Sequence, residues 1–328
     1  MIGHIYKASE THPGNPIDAL GRRFSALRLS LTPVCNLACV YCVEEDVQQG
    51  LSSKERSQQL STEDLVATIA RLHERLDLQE IRLTGGEPLL YQGLDTLIEA
   101  IRQMGIPKVY MTSNAWLLAH RIEEVADLDG INISLDAVDE ETFFKVSRRR
   151  HLDRVLAGID AALDRGIPVK LNAAIMRGVN DNQVLPLLDY ARSKNISLRY
   201  LELMKMGHLY GHHEAQFFSA QAILEQISSR EPVTALAREH ASTARYWELP
   251  DGYRFGIIAN ESHPFCQDCN RLRLDSKGHL FGCLSNPEGQ AVAGLSDEEM
   301  DEALAFALKQ KQNLRFGGST LSMKQIGG

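Results

Sequence analysis

Residues 26–42 read Ala26-Leu-Arg-Leu-Ser-Leu-Thr-Pro-Val-Cys35-Asn-Leu-Ala-Cys39-Val-Tyr-Cys42, an apolar run that leads directly into three cysteines. The chain has six cysteines, and the other three form a second triplet with the spacing Cys266-x2-Cys269-x13-Cys283. Thiolates are soft ligands that select iron–sulfur clusters, zinc or Cu(I). A four-iron cluster that only carries electrons normally has four cysteine ligands, so a triplet leaves one iron open for chemistry. Two triplets therefore predict two iron–sulfur clusters, each able to bind something other than protein.

Disulfides and zinc are the alternative uses of these cysteines. An even count fits three disulfides, but a chain of 328 residues with six cysteines is not cysteine-dense, and its first residues do not read as an apolar signal segment. These features are typical of a reducing cytosol and predict a cytoplasmic protein. Zinc fits the second triplet, because Cys-x2-Cys is a common zinc half-site. It fits the first triplet poorly, since His4 and His12, the histidines that precede that triplet, are distant in sequence.

Composition limits the partners that the protein is expected to have. Hydrophobic residues make up 44% of the chain, which is enough for a sizeable core. There is no run of about eighteen apolar residues, so no membrane-spanning segment is predicted. The net charge is −8 and the pI is about 5.8. This charge argues against a general nucleic-acid partner, because a phosphate backbone attracts a basic surface, but it leaves room for a local basic pocket.

Strand-like and helix-like segments alternate after the N-terminal arm. The apolar runs predicted as strands are Ala26–Leu31, Ile81–Thr84, Lys108–Thr112, Ile131–Leu135, Val169–Ile175 and Leu198–Leu203. The amphipathic segments predicted as helices are Thr62–Leu76, Leu94–Met104, Ala119–Leu128, Leu152–Arg165 and Gln183–Lys194. This alternation predicts an α/β fold with a parallel sheet and outer helices, either an open doubly wound sheet or a barrel.

Polar or ligand-bearing residues follow five of these strands at the point where each strand ends. They are the first cysteine triplet after Leu31, Gly85-Gly86-Glu87-Pro88 after Thr84, Ser113-Asn114 after Thr112, Asp136 after Leu135, and Met204 after Leu203. In both architectures the active site lies at the carboxyl ends of the strands. The five groups are therefore predicted to lie together on one face.

The alternation changes past about residue 215. The elements predicted there are a helix over Phe218–Ser229, a strand over Tyr253–Ile258, a hairpin of Arg271–Leu274 with His279–Cys283, and a helix from Asp297 to about Lys311. The hairpin is predicted to turn at Ser276-Lys277-Gly278. We interpret residues 1–215 as the main domain and residues 216–328 as a smaller C-terminal domain that carries the second triplet.

Two motifs resemble known families. The first triplet, with Tyr41 before its last cysteine and a later Gly-Gly-Glu-Pro, resembles the radical S-adenosylmethionine (SAM) superfamily. The second triplet, with Asn-Arg-Leu-Arg-Leu after Cys269 and a chain that ends in Ile-Gly-Gly, resembles the GTP 3′,8-cyclase family of molybdenum cofactor biosynthesis. This resemblance extends from Leu20 to Gly328. It implies an incomplete (β/α)6 barrel, similar to a TIM barrel, with a C-terminal region that closes its open side.

The resemblance also implies a reaction, with two [4Fe–4S] clusters and SAM as cofactors. One-electron reduction of SAM would release methionine and a 5′-deoxyadenosyl radical, which would remove the ribose 3′ hydrogen of GTP. The resulting carbon radical would attack C8 of guanine and give 3′,8-cyclo-7,8-dihydro-GTP. The implied partners are GTP, an external electron donor and the next enzyme of the pathway, cyclic pyranopterin monophosphate synthase, and a homodimer is compatible with the resemblance.

Particular residues match the family's site. By resemblance, Cys35, Cys39 and Cys42 would hold the cluster that binds SAM, and Cys266, Cys269 and Cys283 would hold the cluster whose open iron binds guanine. The residues that match SAM contacts are Tyr41, Gly86, Thr112, Ser134 and Met204. The residues that match the GTP site are Arg28, Arg82, Lys170, Arg199, Arg271 and Arg273, of which Arg28, Arg271 and Arg273 are expected to act in catalysis with the terminal Gly327 and Gly328. Arginine suits phosphate because its planar fork donates two parallel hydrogen bonds.

The chain departs from the family pattern at three places. Val43-Glu44 stands where the family usually has Met-Pro, and Thr112-Ser113-Asn114-Ala115 stands for its Thr-Thr-Asn-Gly stretch. The third departure bears on the substrate. Glu80 stands two residues before Arg82, where the family usually has a triphosphate-binding lysine. A carboxylate near a triphosphate is repulsive. Glu80 is therefore expected either to point away from the phosphates or to be neutralised by a cation such as Arg82.

Some residues also have a non-functional interpretation. Lys170 begins a strand, where an exposed side chain fits as well as a ligand does. Met204 is interpreted mainly as a core residue. His208, His212 and His213 lie in a glycine-flanked loop and are interpreted as surface residues rather than metal ligands.

Two other functions fit parts of the sequence. The first is another radical SAM enzyme with an auxiliary cluster that acts on a peptide or a different nucleotide, although peptide-modifying enzymes often carry a longer C-terminal cysteine set. The second is a non-catalytic iron–sulfur or zinc protein for sensing or electron transfer. Full four-cysteine ligation would favour that second function, and the two triplets oppose it.

Overall fold

The computed structural model describes residues 16–44, 58–312 and 315–327. Its strands are β1 (Ala26–Ser30), β2 (Glu80–Thr84), β3 (Lys108–Ser113), β4 (Gly130–Ser134), β5 (Val169–Ile175), β6 (Ser197–Glu202), β7 (Thr234–Ala235), β8 (Arg245–Glu248), β9 (Arg254–Ile258), β10 (Arg271–Leu274), β11 (His279–Phe281) and β12 (Gln290–Ala291). Its α-helices are α1 (Thr62–Leu76), α2 (Leu94–Gln103), α3 (Glu140–Ser147), α4 (Leu152–Asp164), α5 (Val184–Ser193), α6 (Ala220–Ser228), α7 (Asp297–Lys309) and α8 (Met323–Ile326).

The described strands form one sheet in the order β12-β11-β10-β1-β2-β3-β4-β5-β6-β9-β8-β7. Strands β1 to β6 are parallel and adjacent in chain order. A doubly wound sheet reverses its strand order at a switch point, and β1 to β6 show no such reversal. In the described chain β1 pairs with β10 rather than with β6, while β6 pairs with β9. These observations confirm the predicted incomplete barrel and exclude the doubly wound alternative.

Alternation along the parallel strands separates a core face from an inner face. Leu27 and Leu29 of β1 are fully buried against the helices, and Leu65, Ile69 and Leu72 of α1 recur at helical spacing and are buried opposite them. Strand residues that alternate with such core positions point to the other side of the sheet. We call that side the inner face. It is the concave side of the partial barrel, and it carries polar residues.

Most predicted elements are confirmed. The six predicted strands end within one residue of the observed ends, and the first predicted helix has the observed bounds. The predicted helix over Ala119–Leu128 is wrong, because two 3₁₀ turns, Leu118–His120 and Ile122–Val125, occupy this stretch. Helix α4 packs closely on this connection, since a Cβ at Gly158 would lie 2.3 Å from the Ala115 carbonyl oxygen. The close packing leaves a short, pinned connection in place of a full helix.

The C-terminal strands join the main sheet at both of its edges. The predicted hairpin of β10 and β11 is confirmed, and its turn contains Gly278 with a φ of 80°. The parallel pairing of β10 with β1 is a feature that the sequence pattern does not predict. The division of the chain at residues 215 and 216 stays a prediction. No helix in the described ranges is long and apolar enough to cross a membrane.

Candidate active site

Cationic side chains line the inner face. Arg28 of β1 lies in register beside Arg82 of β2 and Arg273 of β10. Lys170 of β5 and Arg199 of β6 lie on the same face, opposite Ser197 and Asn172 of the neighbouring strand. The sheet therefore brings together residues that are far apart in sequence. Arg28 and Arg273, for example, are 245 positions apart and lie side by side. An inner face of this composition cannot be a packed apolar core.

Several of these guanidinium groups have buried donors that remain without a hydrogen-bond partner in the described part of the chain. Arg28 Nε, Arg199 Nε and Nη2, and Arg271 Nη2 are buried without a hydrogen-bond partner among the described residues. Burial lowers the pKa of Arg28 well below its usual range, and Arg273, Arg271 and Arg82 lower it further. Burial also lowers the pKa of Arg199 and of Arg273 to about 10. Crowded cations with free donors fit a polyanionic ligand, because such a ligand would satisfy both the charge and the hydrogen bonds.

The first cysteine loop follows β1 and is clamped by α3. Ala38 N and Val40 N donate to the carbonyl oxygens of Ser147 and Val146 at 3.1 and 2.9 Å. Arg148, just after α3, donates to the Ala38 carbonyl oxygen at 3.3 Å. These bonds fix the loop backbone at the carboxyl ends of the strands. The triplet therefore lies where the sequence analysis predicts the active site.

The first triplet has the donor chemistry of a cluster site. Burial raises the pKa of Cys35 to about 11 and that of Cys42 to about 12, and Cys35 adds to the effect on Cys42. Three such thiols ionise together only beside a cation, which a bound iron–sulfur cluster would be. Leu37 N and Asn114 Nδ2 approach Cys35 Sγ at 3.4 and 3.7 Å, and N–H groups of this kind tune cluster sulfurs. The residues present thus fit the group that the family motif implies.

Gly86 and Glu87 attach the end of β2 to the cysteine loop. A Cβ at Gly86 would lie 2.2 Å from the Val34 carbonyl oxygen, so only glycine fits there. The buried carboxylate of Glu87 accepts hydrogen bonds from Ser113 Oγ at 2.7 Å, Asn114 N at 2.8 Å and Leu89 N at 3.1 Å. Burial raises the pKa of Glu87 to about 7, although these hydrogen bonds lower it. Glu87 therefore braces the ends of β2 and β3, a role that the sequence analysis does not assign to it.

Asp136 makes a second brace, at the end of β4. Its carboxylate accepts the Tyr41 hydroxyl at 2.8 Å and Ala174 N at 2.8 Å. Burial raises the pKa of Asp136 to about 6. Tyr41, which matches a SAM contact by resemblance, is thus held against β5 by Asp136. Thr112 and Ser134 are half-buried on the same inner face.

The second triplet lies at the start and end of the β10–β11 hairpin. Cys269 N donates to the Cys266 carbonyl oxygen at 3.3 Å, and Lys311 Nζ lies 3.1 Å from Cys269 Sγ. Burial would raise the pKa of Cys269, but Lys311 and Arg271 lower it to about 5. Arg22 donates to the Cys266 carbonyl oxygen at 2.6 Å. Lys311 and Arg22 are neighbours of the triplet that the sequence analysis misses, because no local pattern links them to it.

The C-terminal segment crosses the inner face between the two triplets. Arg273 donates to the carbonyl oxygens of Ile326, at 3.2 Å, and of Gly327. A Cβ at Gly327 would lie 2.5 Å from Thr84 Cγ2. Lys324 is 8% exposed, and its pKa is lowered by burial and raised by Cys35 and Cys42. Gly327 therefore reaches the predicted site, whereas Gly328 lies outside the described residues.

The remaining predicted residues differ in how far they are buried and in what they contact. Lys170 is exposed at the edge of the inner face. Met204 packs with the cluster of Met206, Phe281, Phe316 and Ile326, so its core interpretation agrees with the packing. The surface interpretation of His213 is wrong, since it is 5% exposed. His208 lies 3.0 Å from the Val40 carbonyl oxygen, and in the described ranges no group of three or more His, Cys, Asp or Glu converges on a single-ion site.

Sequence comparison defines the class and then the family. A family model described as the Radical SAM superfamily matches residues 29–191, and one described as Molybdenum Cofactor Synthesis C matches residues 196–316. The chain is 35% identical over 315 residues to a GTP 3′,8-cyclase of Synechocystis sp., with coverage of 95% of this chain and 94% of the relative. It is 37% identical over 324 residues to a GTP 3′,8-cyclase of Synechococcus sp., with coverage of 90% and 91%.

The partial barrel and the first triplet are those of a radical SAM enzyme, which binds a [4Fe–4S] cluster and SAM. Within that class, the chain belongs to the GTP 3′,8-cyclase family.

Solved structures agree on the fold. The structure of Streptococcus suis SuiB bound to the precursor peptide SuiA has a TM-score of 0.62 and 15% sequence identity, and the match covers 90% of this chain and 72% of that one. SuiB bound to S-adenosylmethionine gives a TM-score of 0.60 at 15% identity, with coverage of 90% and 73%. At this identity the likeness concerns the fold alone.

Proposed function

We propose that this enzyme converts GTP to 3′,8-cyclo-7,8-dihydro-GTP in molybdenum cofactor biosynthesis. The observation that carries the proposal is the cationic inner face, which extends between two cysteine triplets. It holds several guanidinium donors for which residues 16–44, 58–312 and 315–327 supply no partner. A nucleoside triphosphate brings the negative charge and acceptor oxygens that these donors lack. The family membership supports the same substrate.

The phosphate end of the site is assigned to Arg82, Lys170 and Arg199. Although Lys170 is exposed, partial desolvation lowers its pKa, and Arg199 and Arg82 lower it further, so these three cations act on one another across the strands. A triphosphate bound among them would relieve this repulsion. Their position on β2, β5 and β6 keeps the phosphates on the inner face.

The base end of the site is assigned to Arg28, Arg271 and Arg273. We assign Cys266, Cys269 and Cys283 to a second [4Fe–4S] cluster, whose open iron would bind guanine. Lys311 and Arg271 favour the thiolate form of Cys269, which is the form that binds iron. Arg28 and Arg273 neighbour each other in register and would orient the base and ribose.

The reacting end of the site is assigned to the first triplet with Tyr41, Gly86, Thr112, Ser134 and Met204. When bound there, the reduced cluster and SAM supply the one-electron chemistry that removes the ribose 3′ hydrogen. Glu87 and Asp136 hold the loops that carry these residues. The C-terminal segment with Gly327 and Gly328 would close the site against water, because a reactive radical must be kept from solvent.

Other features of the proposal concern the surroundings of the enzyme. They are a cytoplasmic location, an external electron donor, product transfer to cyclic pyranopterin monophosphate synthase, and a homodimer. The radical SAM partial barrel is assigned to residues 1–215, and the auxiliary-cluster and substrate-binding domain to residues 216–328.

Isotope transfer tests the proposal. Anaerobic turnover with SAM and GTP deuterated at the ribose 3′ position should place deuterium in 5′-deoxyadenosine, and GTP deuterated at the 2′ position is the matched control that should not. Mass spectrometry of both products measures the transfer. Unlabelled 5′-deoxyadenosine from the 3′-labelled substrate would refute the cyclase function, and a panel of other nucleotides would then identify the substrate.

A further inference from the structure

Within β1 to β6 and β10, a single carboxylate lies on the inner face. The inward-pointing residues within β1 to β6 and β10 are Ala26, Arg28, Ser30, Glu80, Arg82, Thr84, Lys108, Tyr110, Thr112, Gly130, Asn132, Ser134, Lys170, Asn172, Ala174, Ser197, Arg199, Leu201, Arg271 and Arg273. This set contains seven cations and one anion, Glu80. One anion in the same set as seven cations weakens the attraction of those cations for any anionic ligand that binds there.

Glu80 is paired with one of these cations. Its Oε1 accepts a hydrogen bond from Arg82 Nη2 at 2.9 Å, and the two side chains are 33% and 15% exposed. The Arg82 guanidinium also lies 4.8 Å from the centroid of the Tyr110 ring. Arg82 is therefore held between a carboxylate and an aromatic ring. A phosphate that approaches Arg82 meets a guanidinium that already has an anion.

The charge of Glu80 extends to the other cations. Desolvation lowers the pKa of the buried Arg28 and of the more exposed Lys170. Glu80 raises both pKa values against that effect, and Glu239 also raises that of Lys170. Glu80 thus lowers the positive potential at Arg28 and Lys170 as well as at Arg82. Its effect on a ligand should grow with the negative charge of that ligand.

We propose that Glu80 is an internal counter-ion that sets the affinity of the phosphate subsite, pairing with Arg82 in the free protein and giving way to phosphate when ligand binds. This inference rests on the proposed function for the identity of the ligand. Because one anion replaces another at Arg82, the net gain on binding is smaller than at an unpaired arginine, and the displaced carboxylate then repels the phosphates. Binding of a cyclised product that keeps its triphosphate would be weakened in the same way, and this weaker binding would favour product release.

The test compares ligands of different charge. The anaerobically reconstituted holoenzyme, as wild type, Glu80→Gln and Glu80→Lys, is titrated calorimetrically with GTP, guanosine and inorganic tripolyphosphate. Glu80→Gln should tighten GTP and tripolyphosphate by roughly three- to tenfold at low salt, and Glu80→Lys by roughly tenfold or more. Guanosine should bind equally to all three forms, and the gain should shrink at high salt.

A matched control separates this effect from a general change of charge. Glu74 is an exposed glutamate of α1, outside the sheet, and Glu74→Gln should leave all three affinities unchanged. The iron content of each variant verifies that the protein is intact.

The outcomes distinguish the inference from the function on which it rests. Unchanged or weaker binding of tripolyphosphate by Glu80→Gln would overturn the counter-ion role, and weakening that requires Mg²⁺ would make Glu80 a metal ligand instead. If tripolyphosphate binding tightens while wild type and variant bind GTP no better than guanosine, the counter-ion role stands and the nucleoside triphosphate substrate is refuted.

Discussion

At the scale of residues, this molecule uses buried charges in two ways. Glu87 and Asp136 are buried carboxylates that accept backbone and hydroxyl hydrogen bonds and hold loops in place. Arg28 and Arg199 are cations on the inner face with donors that have no partner among the described residues. The first kind stabilises the site and the second kind prepares it for a ligand. The two kinds therefore predict opposite effects of substitution on stability.

The brace at Glu87 predicts a dependence on pH. Since its pKa is raised from 4.5 to about 7 in the folded protein, the native state binds the proton more tightly than the unfolded state does. This contribution to stability is complete below about pH 4.5 and is lost as the pH rises through about 7, with a slope of up to about 1.4 kcal/mol per pH unit. The melting temperature of wild type minus that of Glu87→Gln should therefore fall between about pH 5 and about pH 8. Parallel melting profiles of the two proteins would contradict the assigned role.

The crowded cation Arg28 predicts a gain in stability when it is removed. Arg28→Met should raise the free energy of unfolding of the ligand-free protein by about 1–2 kcal/mol, because an apolar group replaces a buried charge that forms no ion pair with any described residue. The same variant should lose GTP binding. The control is Arg254→Met, whose guanidinium is 64% exposed and pairs with Glu248, and which should change stability by less than about 0.5 kcal/mol. A destabilised Arg28→Met protein would show that Arg28 is structural.

At the scale of elements, the proposed chemistry depends on two cysteine-bearing loops and a C-terminal tail. The first cysteine loop is clamped by α3, the second triplet is held on the β10–β11 hairpin, and the C-terminal segment lies between them. Because β1 and β10 are parallel neighbours, the segments that carry the two triplets lie on adjacent strands although they are far apart in sequence. Each of these three segments can be altered separately, by substitution of its cysteines or by truncation of the tail.

Replacing one triplet at a time should separate the two clusters. Serine at Cys35, Cys39 and Cys42 should leave roughly half of the iron and abolish SAM cleavage, as expected for two separately ligated sites. Serine at the second triplet should also leave about half of the iron but retain SAM cleavage. Iron analysis and the yield of 5′-deoxyadenosine measure both effects. Zinc as the dominant metal, or cleavage that survives loss of the first triplet, would exclude the two-cluster assignment.

The C-terminal tail should matter for turnover rather than for assembly. Removal of Gly327 and Gly328 should spare iron content and GTP binding but slow cyclisation. Gly327→Ala should act in the same direction, since φ is 74° and a Cβ would lie 2.5 Å from Thr84 Cγ2. Gly317→Ala is the matched control, because a Cβ there would meet nothing within 4 Å. Wild-type rates in the truncated protein would show that the tail has no catalytic part.

At the scale of the whole molecule, the two faces of the sheet differ: the outer face supplies the apolar core, and the inner face carries the proposed ligand site. Its outer face packs leucine and isoleucine against helices, while its inner face gathers cations from β1, β2, β5, β6 and β10. The repulsion among these cations is tolerated because the apolar side supplies the stability. A polyanion that binds the inner face should therefore stabilise the entire fold.

Ligand-dependent melting tests this division. GTP and inorganic tripolyphosphate should raise the melting temperature, guanosine should raise it less, and high salt should reduce the effect of all charged ligands. At a concentration about one hundred times the Kd, the gain should be about 2.7 kcal/mol. Scanning fluorimetry under anaerobic conditions measures it. Equal shifts with guanosine and GTP would contradict a phosphate-binding inner face.

The sequence by itself determined the features that depend on local patterns. Alternation of apolar residues gave the six parallel strands within one residue of their ends, helical spacing gave α1, and cysteine spacing identified the first cluster loop. Each of these patterns is a property of a few adjacent residues, so it can be read without knowledge of the rest of the chain. The order of strand and loop then placed the first triplet at the carboxyl ends of the strands.

Only the tertiary structure decided which distant residues meet. The pairing of β10 with β1, the contact of Lys311 with Cys269, the position of Gly327 on Thr84 and the absence of a helix over Ala119–Leu128 all depend on contacts between segments far apart in sequence. The Glu80–Arg82 pair is an intermediate case, because the sequence named both possible orientations of Glu80 and the hydrogen bond selected one. Long-range packing energies choose among such alternatives, and no local pattern of residues encodes them.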